Sequence, residues 1–259
     1  MAFRHANDLN PGPVYLEIPT DLLSAQVKEN ATLFPVHYRT DAIPSGDPDL
    51  IEKAAELLIN AERPAMVVGD GAQFSIGDKA EAVAALSDYL KMPLGISGSA
   101  CRGLFGDETL NPLLRMDFSS QADVILTLGC RYDFQMGMGR SVPADATVIQ
   151  VHTDMHQIGF NLRADMGIVG GTGPVAAQIL DAIKSKKKPA EASWSGLPWT
   201  DNPSRVPDFM NYEGDPIHPG RCAYEVAKFM EDEGADWNLA HDGGEAQVWM
   251  TIAATARRP

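Results

Sequence analysis

Three short stretches hold the residues best equipped for chemistry. The first, VVGDGAQF (residues 67–74), is an apolar run that ends in Gly69-Asp70-Gly71 and is followed by a helical pattern. Gly-Asp-Gly opens metal-diphosphate motifs, in which an aspartate oxygen helps ligate Mg²⁺. Strand–glycine–helix is also how unrelated α/β domains turn a corner, because a residue without Cβ lets the backbone bend where a side chain would crowd it. A dinucleotide fingerprint, G-x-G-x-x-G, needs a third glycine and an acid about twenty residues further on. Phe74 stands at the third glycine position, so that fingerprint fails. In the second stretch, His152-x-Asp154-x-His156 offers three metal-capable side chains. Their spacing falls across a strand end rather than along one helical face, a poor zinc geometry. The third stretch carries Arg131, whose planar guanidinium suits either a phosphate clamp or an interdomain ion pair. Cys101, Cys130 and Cys222 are scattered, with nothing nearby to activate them, and read as reduced packing thiols. Trp249 and FQMGMG (residues 134–139) read as packing or interface groups.

Composition narrows the function classes. The net charge of −14 gives no electrostatic support for binding a phosphate backbone. The basic run KSKKK (residues 184–188) sits at a helix end, where cations suit the dipole. No nucleic acid is therefore expected as a partner. No apolar stretch reaches the roughly 18 residues of a membrane span. MAFRHANDLNPGP lacks the apolar core of a signal peptide, so the expected location is cytoplasmic, with no membrane contact.

The elements that must position these residues begin in earnest at Asp47-Pro48, an N-cap followed by a first-turn proline. Leu50, Ile51, Ala54, Leu57 and Leu58 then fall on one helical face. Buried strands are expected at residues 65–69, 93–96, 123–129, 147–151 and 166–171, with helices at 79–90 and 174–183. Continuous apolar strands alternating with helices imply a parallel sheet covered on both faces. The fold class is α/β, a Rossmann-like doubly wound parallel sheet over residues 47–183. GPVYLEIPTDLL (residues 12–23) reads as strand-like and residues 28–46 as an irregular linker. Residues 184–216 read as a second linker, 218–233 as a helix, DWNLAHDGG (236–244) as strand-like, and the stretch after it as the start of another α/β unit.

Several of these segments together carry a family likeness. GPVYLEIPTDLL, RPAMVVGDGAQ, ADVILTLGCRYDF, ATVIQVHTDMHQIGFN and IHPGRCAYEVAKF…DGGEAQVW resemble, in order, landmarks of thiamine-diphosphate-dependent enzymes. The group is that of acetolactate synthase, benzaldehyde lyase and 2-hydroxyacyl-CoA lyase. The resemblance implies a three-domain plan: residues 1–27 as the tail of a pyrimidine-binding domain, 28–46 as a linker, 47–183 as the central domain, 184–216 as a linker, and 217–259 as the truncated opening of a diphosphate-binding domain. On that plan the chain is a fragment and is inactive alone.

The resemblance also implies cofactors: thiamine diphosphate and Mg²⁺ in the intact parent, an enzyme making or breaking a C–C bond beside a carbonyl as carboligase, lyase or decarboxylase. The expected substrates are a 2-oxo acid, an aldehyde or an acyl-CoA, handled by a homo-oligomer (dimer or tetramer). The family's activating glutamate belongs to a segment before the one Met1 matches. Its metal motif pairs the aspartate of Gly-Asp-Gly with an asparagine about 25–30 residues later. The first asparagine after Gly71 is Asn111, forty positions on, and the place in the domain order is wrong as well, so no catalytic and no metal residue is assigned. Some relatives hold FAD or ADP in the central domain. Gly69, Gly71, Gly129, Arg131 and Asp133 match those contact positions, whereas the family's two ribose-side acids fall on His152 and Gly171. FAD, ADP and no nucleotide at all stay open, as does a stand-alone nucleotide-binding module. Gly244, Glu245 and Ala246 match the loop that reaches the thiamine diphosphate, where a glutamate would repel it unless a metal or a cation intervenes.

Overall fold

Asp47 and Pro48 start the regular part of the chain as their chemistry requires. In this computed structural model Asp47 Oδ1 accepts from the N–H groups of Asp49 (3.0 Å) and Leu50 (3.2 Å). These bonds satisfy two of the orphan donors at the start of the helix Pro48–Asn60, and Pro48 has no N–H to satisfy. The structure describes residues 1–31, 35, 38–98, 118–186, 194, 208–234, 239–240 and 242–256. Cys101, nearly all of the glycine-rich stretch 97–106, the end of the basic run and most of DWNLAHDGG lie outside the described residues.

Among the described residues the helices with full bounds are α1 (Ala2–Ala6), α2 (Thr20–Leu23), α3 (Pro48–Asn60), α4 (Ala80–Leu90), α5 (Thr172–Ser185), α6 (Pro219–Asp232) and α7 (Glu245–Ala256). The strands are β1 (Pro64–Val68), β2 (Leu94–Ile96), β3 (Val124–Leu128), β4 (Thr147–His152) and β5 (Met166–Val169). All five are parallel, in the order β2-β1-β3-β4-β5. β1 and β3 are buried at every residue, as strands covered on both faces must be.

One face carries Met66, Val68, Leu126, Leu128, Ile149 and Val151, packed under α3, α4 and α5. The helical spacing of Ile51, Ala54, Ala55 and Leu58 in α3, and of Val175, Ile179 and Ile183 in α5, points those side chains into this cluster. The opposite face carries Ala65, Val67, Ile125 and Val148. Among the described residues its cover comes from Phe118, Tyr132, the short 3₁₀ turn at Phe134–Gly139 with Met136, and Trp194. Trp194 donates from Nε1 to the carbonyl of Pro64 (3.1 Å), an anchor at the start of β1. A third, smaller cluster joins Met210, Ala223 and Ala253, with Trp249 packed against it and in edge contact with His218.

Three details differ from the expectations. Residues 11–19 form no strand, and Thr20–Leu23 is a short helix. The alternation of Val14, Leu16 and Ile18 suits a half-buried strand, but a strand exists only with a partner to take its hydrogen bonds. These residues pair with none, and all three side chains are exposed. Cys222 is exposed rather than packed, while Cys130 is buried as expected. FQMGMG splits: Met136 is fully buried, whereas Phe134 and Met138 face outward.

Candidate functional site

β1 pairs with the next strand, β2, on one side and with β3 on the other, so the strand order reverses between β1 and β3. In an open parallel sheet the crevice outside the carboxyl ends at such a point is the usual ligand position. β1 and β3 stay in register to their last pair, Val68 with Leu128, and both then end in glycine. A Cβ on Gly69 would lie 2.4 Å from Cys130 Cα, and one on Gly129 would lie 2.4 Å from Ala72 N. Gly71 sits against the Gly129 carbonyl and the ring of His152, each 2.9 Å from where its Cβ would be. Hydrogen bonds tie the two turns: Gly69 N–H to Leu128 O (2.9 Å), Gly71 N–H to Gly129 O (3.0 Å) and Gly129 N–H to Val151 O (2.8 Å). Gly129 also has φ +63°, a left-handed conformation open to glycine at little cost. Backbone against backbone is thus what Gly69-Asp70-Gly71 does here. The Asp70 carboxylate lies across Gly98, at the end of β2, with oxygens 2.1 and 2.2 Å from where a Cβ on that glycine would be.

Over this turn lies a cavity of about 220 Å³ lined by Gly69, Asp70, Gly71, Ser97, Arg131, Asp133, Gln135 and, from the N-terminal segment, Asn10. Of the eight residues singled out from the sequence, Gly69, Gly71, Arg131 and Asp133 line this one cavity, and Gly129 touches Gly71 behind it. Asp133 is held as the N-cap of the following turn, its Oδ1 accepting from Gln135 N–H (2.9 Å). Arg131 donates from Nη2 to Asn10 Oδ1 (3.2 Å). Gly244, Glu245 and Ala246 lie elsewhere, exposed at the start of α7, with Gly244 at φ +80° and no atom within 4 Å of where its Cβ would be.

Asn10 and His152 are the residues that sequence reasoning left without a role at this site. Asn10 Nδ2 donates to Asp154 Oδ2 (3.0 Å), so one side chain bridges Arg131 and Asp154. Thr153 Oγ1 donates to Leu9 O (3.5 Å), a third anchor for the same segment. His152, the last residue of β4, is 2 % exposed. Its Nδ1 accepts from Asp154 N–H (2.9 Å), and its Nε2 is buried with no hydrogen-bond partner. Burial, then the nearby Arg131, hold the imidazole below its ordinary pKa, with Asp154 opposing them. The Asp154 carboxyl is also held down, chiefly by the His156 N–H that its Oδ1 accepts (2.9 Å). Among the described residues no group of three His, Cys, Asp or Glu side chains is arranged to hold a metal ion, so His152-x-Asp154-x-His156 is a capped strand end.

These residues do not fit a nucleotide with the N-terminal segment seated. The cavity is smaller than the roughly 300–1,000 Å³ of ordinary cofactor pockets. The ends of β4 and β5 offer a buried imidazole and Gly171, where a Cβ would meet Ile43 Cγ2 at 2.1 Å. At the start of α7 Glu245 places an exposed carboxylate in the first turn of the helix, which repels a bare diphosphate unless a metal or a cation stands between them.

Comparison with known proteins gives a consistent picture. The family model described as "Thiamine pyrophosphate enzyme, central domain" matches residues 51–183. A probable acetolactate synthase large subunit from Methanocaldococcus jannaschii is 26% identical over 281 residues, covering 100% of this chain and 46% of that protein. The 2-hydroxyacyl-CoA lyase 1 of Dictyostelium discoideum is 33% identical over 218 residues, covering 72% of this chain and 36% of that protein. In fold, the chain is similar to the crystal structure of benzoylformate decarboxylase from Polynucleobacter necessarius, with a TM-score of 0.62 at 16% identity, over 96% of this chain and 45% of that one. The chain spans about half the length, or less, of the curated relatives it matches.

Proposed function

Because the chain belongs to the thiamine pyrophosphate enzyme family, whose central-domain model matches residues 51–183, we propose that it contributes the central domain of a cytoplasmic, oligomeric carboligase, lyase or decarboxylase dependent on thiamine diphosphate and Mg²⁺. The observation that carries this reading is that match, joined to similarity over the whole chain to an acetolactate synthase subunit. The substrate class that goes with it is a small 2-oxo acid, an aldehyde or an acyl-CoA. Bound thiamine diphosphate supplies an electron sink for a C–C bond beside a carbonyl. The role assigned to the residues in hand is architectural: residues 47–183 form the sheet domain, residues 1–27 and 217–259 belong to the flanking pyrimidine- and diphosphate-binding domains, and residues 28–46 and 184–216 link them. The separate small core of Met210, Ala223 and Ala253 supports assigning the last segment to a different domain.

No nucleotide is assigned to the central domain, given the small crevice and the residues at the ends of β4 and β5. A thermal shift produced by ADP or FAD would overturn that assignment. The experiment for the whole reading compares these 259 residues with the protein encoded by the complete reading frame, each given thiamine diphosphate, Mg²⁺ and pyruvate or benzoin. Product is expected from the complete protein and none from the 259 residues by themselves. Turnover by the 259 residues would refute the assignment of the catalytic groups to other segments. A complete protein that neither binds thiamine diphosphate nor shows turnover would refute the family function.

A further inference from the structure

The N-terminal segment is held on the carboxyl edge of the sheet at one small spot. Leu9, Asn10 and Pro11 are half-buried, whereas Arg4–Asp8 before them and residues 12–31 after them are exposed. The side-chain anchors of Leu9 and Asn10 surround His152, while Asn7 just before them is held by Arg39 Nη1, which donates to its carbonyl (2.6 Å). Thr153 and Asp154 follow it in the chain and hold Leu9 and Asn10, and Arg131, the other partner of Asn10, lies close enough to act on the imidazole electrostatically.

We propose that His152 and Asn10 form a proton-operated latch: a proton taken up at His152 Nδ1 releases residues 9–11 from the sheet edge. The geometry explains how. In the neutral ring the Nδ1 lone pair accepts the Asp154 N–H and so fixes the backbone that carries the Asp154 carboxylate. A proton on Nδ1 turns acceptor into donor, and two N–H groups then face each other at a distance made for a hydrogen bond. The buried imidazolium also draws the Asp154 carboxylate away from Asn10 Nδ2 and repels Arg131 from Asn10 Oδ1, so both ends of the clasp are disturbed together. Nothing can relieve the charge on the far side of the ring, where Nε2 faces Gly71 and has no partner.

The charged and titratable groups around the ring come from four segments. Beyond β3 are Arg131 and Asp133, with Cys130 and the buried Tyr132 between and beside them in the chain. Beyond β1 is Asp70, beyond β4 are Asp154 and His156, and on the N-terminal segment is Asp8. His156 is on the exposed side of the Asp154 cap.

¹⁵N relaxation of the backbone amides of Leu9 and Asn10, read in the whole chain at about pH 7.5 and 5.5, tests the latch. These residues are expected to be ordered at the higher pH and to gain fast motion on acidification. His152→Gln, whose amide oxygen accepts the Asp154 N–H but takes no proton, is expected to keep them ordered at both pH values. Asn10→Ala is expected to leave the segment mobile at both. Unchanged order in the wild type, or an undiminished gain of motion in His152→Gln, overturns the proposal. The order of β3 reports whether His152→Gln has folded. If it has not, the reciprocal measurement decides: by linkage, Asn10→Ala must raise the pKa read from the His152 ring by NMR. An unchanged value overturns the latch and a raised one supports it.

Discussion

Replacing Gly129 by alanine is expected to destabilise the domain by far more than its conformation alone requires, and Gly159 supplies the control. Both residues have positive φ, +63° and +79°. A Cβ at Gly159 meets nothing within 4 Å, so Gly159→Ala isolates the left-handed strain of an alanine, about 1 kcal/mol. At Gly129 the same Cβ would lie 2.4 Å from Ala72 N, 2.7 Å from Gly71 C and 3.1 Å from Ala72 Cα. All three are backbone atoms of a turn held to Gly129 by the Gly71 N–H···O=C bond of 3.0 Å. To admit the methyl group the turn must retreat by about 1 Å, which adds roughly 1–3 kcal/mol of overpacking and about 1 kcal/mol for the weakened hydrogen bond. Gly129→Ala should therefore cost about 2–4 kcal/mol more than Gly159→Ala. Urea titration followed by far-ultraviolet circular dichroism measures both, with the midpoint moving and the slope unchanged. If the two variants agree within about 0.5 kcal/mol, the backbone contact is not what demands glycine at 129 and the reasoning fails.

Further expectations rest on other parts of the fold. Asp47→Ala removes two accepted hydrogen bonds at the start of α3 and should cost about 1 kcal/mol in the same titration, while Asp47→Ser should restore most of it. Leu126→Ala opens a cavity in the centre of the helix-covered face and should cost about 2–5 kcal/mol, visible as a lowered thermal midpoint. His152 binds its proton less readily in the fold than in the unfolded chain, whose ordinary value is 6.5. Its contribution is therefore complete above that pH and is lost as pH falls towards and through the lowered folded value. Urea midpoints taken across that window should decline in the wild type and decline less in His152→Gln. Asp154, also lowered, acts only below the ordinary carboxylate value of 3.8, so the two windows separate.

The sheet was legible because its signals are local. Five apolar runs, the Asp47-Pro48 cap and the inward stripe of residues 175, 179 and 183 depend on neighbours within a turn or a strand, and each element formed within a few residues of expectation. The glycines at 69 and 71 were visible as turn formers and Gly129 as a position matched to the family's nucleotide contacts, although the close contact of two separate turns that requires all three is a long-range fact. Asn10 was invisible for the same reason. Its two partners lie 121 and 144 residues away, and a single asparagine between a leucine and a proline carries no pattern. The alternation at residues 14–18 misled in the opposite direction, since alternation describes what a strand would do with a partner and cannot supply one.

The short turn that follows β3 has a consequence for how the domain comes apart. Under α3, α4 and α5 the strands are shielded by apolar stripes on helices with continuous ladders of internal hydrogen bonds. On the opposite face the buried Met136 is borne on the 3₁₀ turn Phe134–Gly139, in one cluster with Cys130 and Tyr132. A single short turn opens at lower free energy than a packed helix layer. Chemical labelling in mild denaturant should then reach Cys130 before the far-ultraviolet signal of the helices declines.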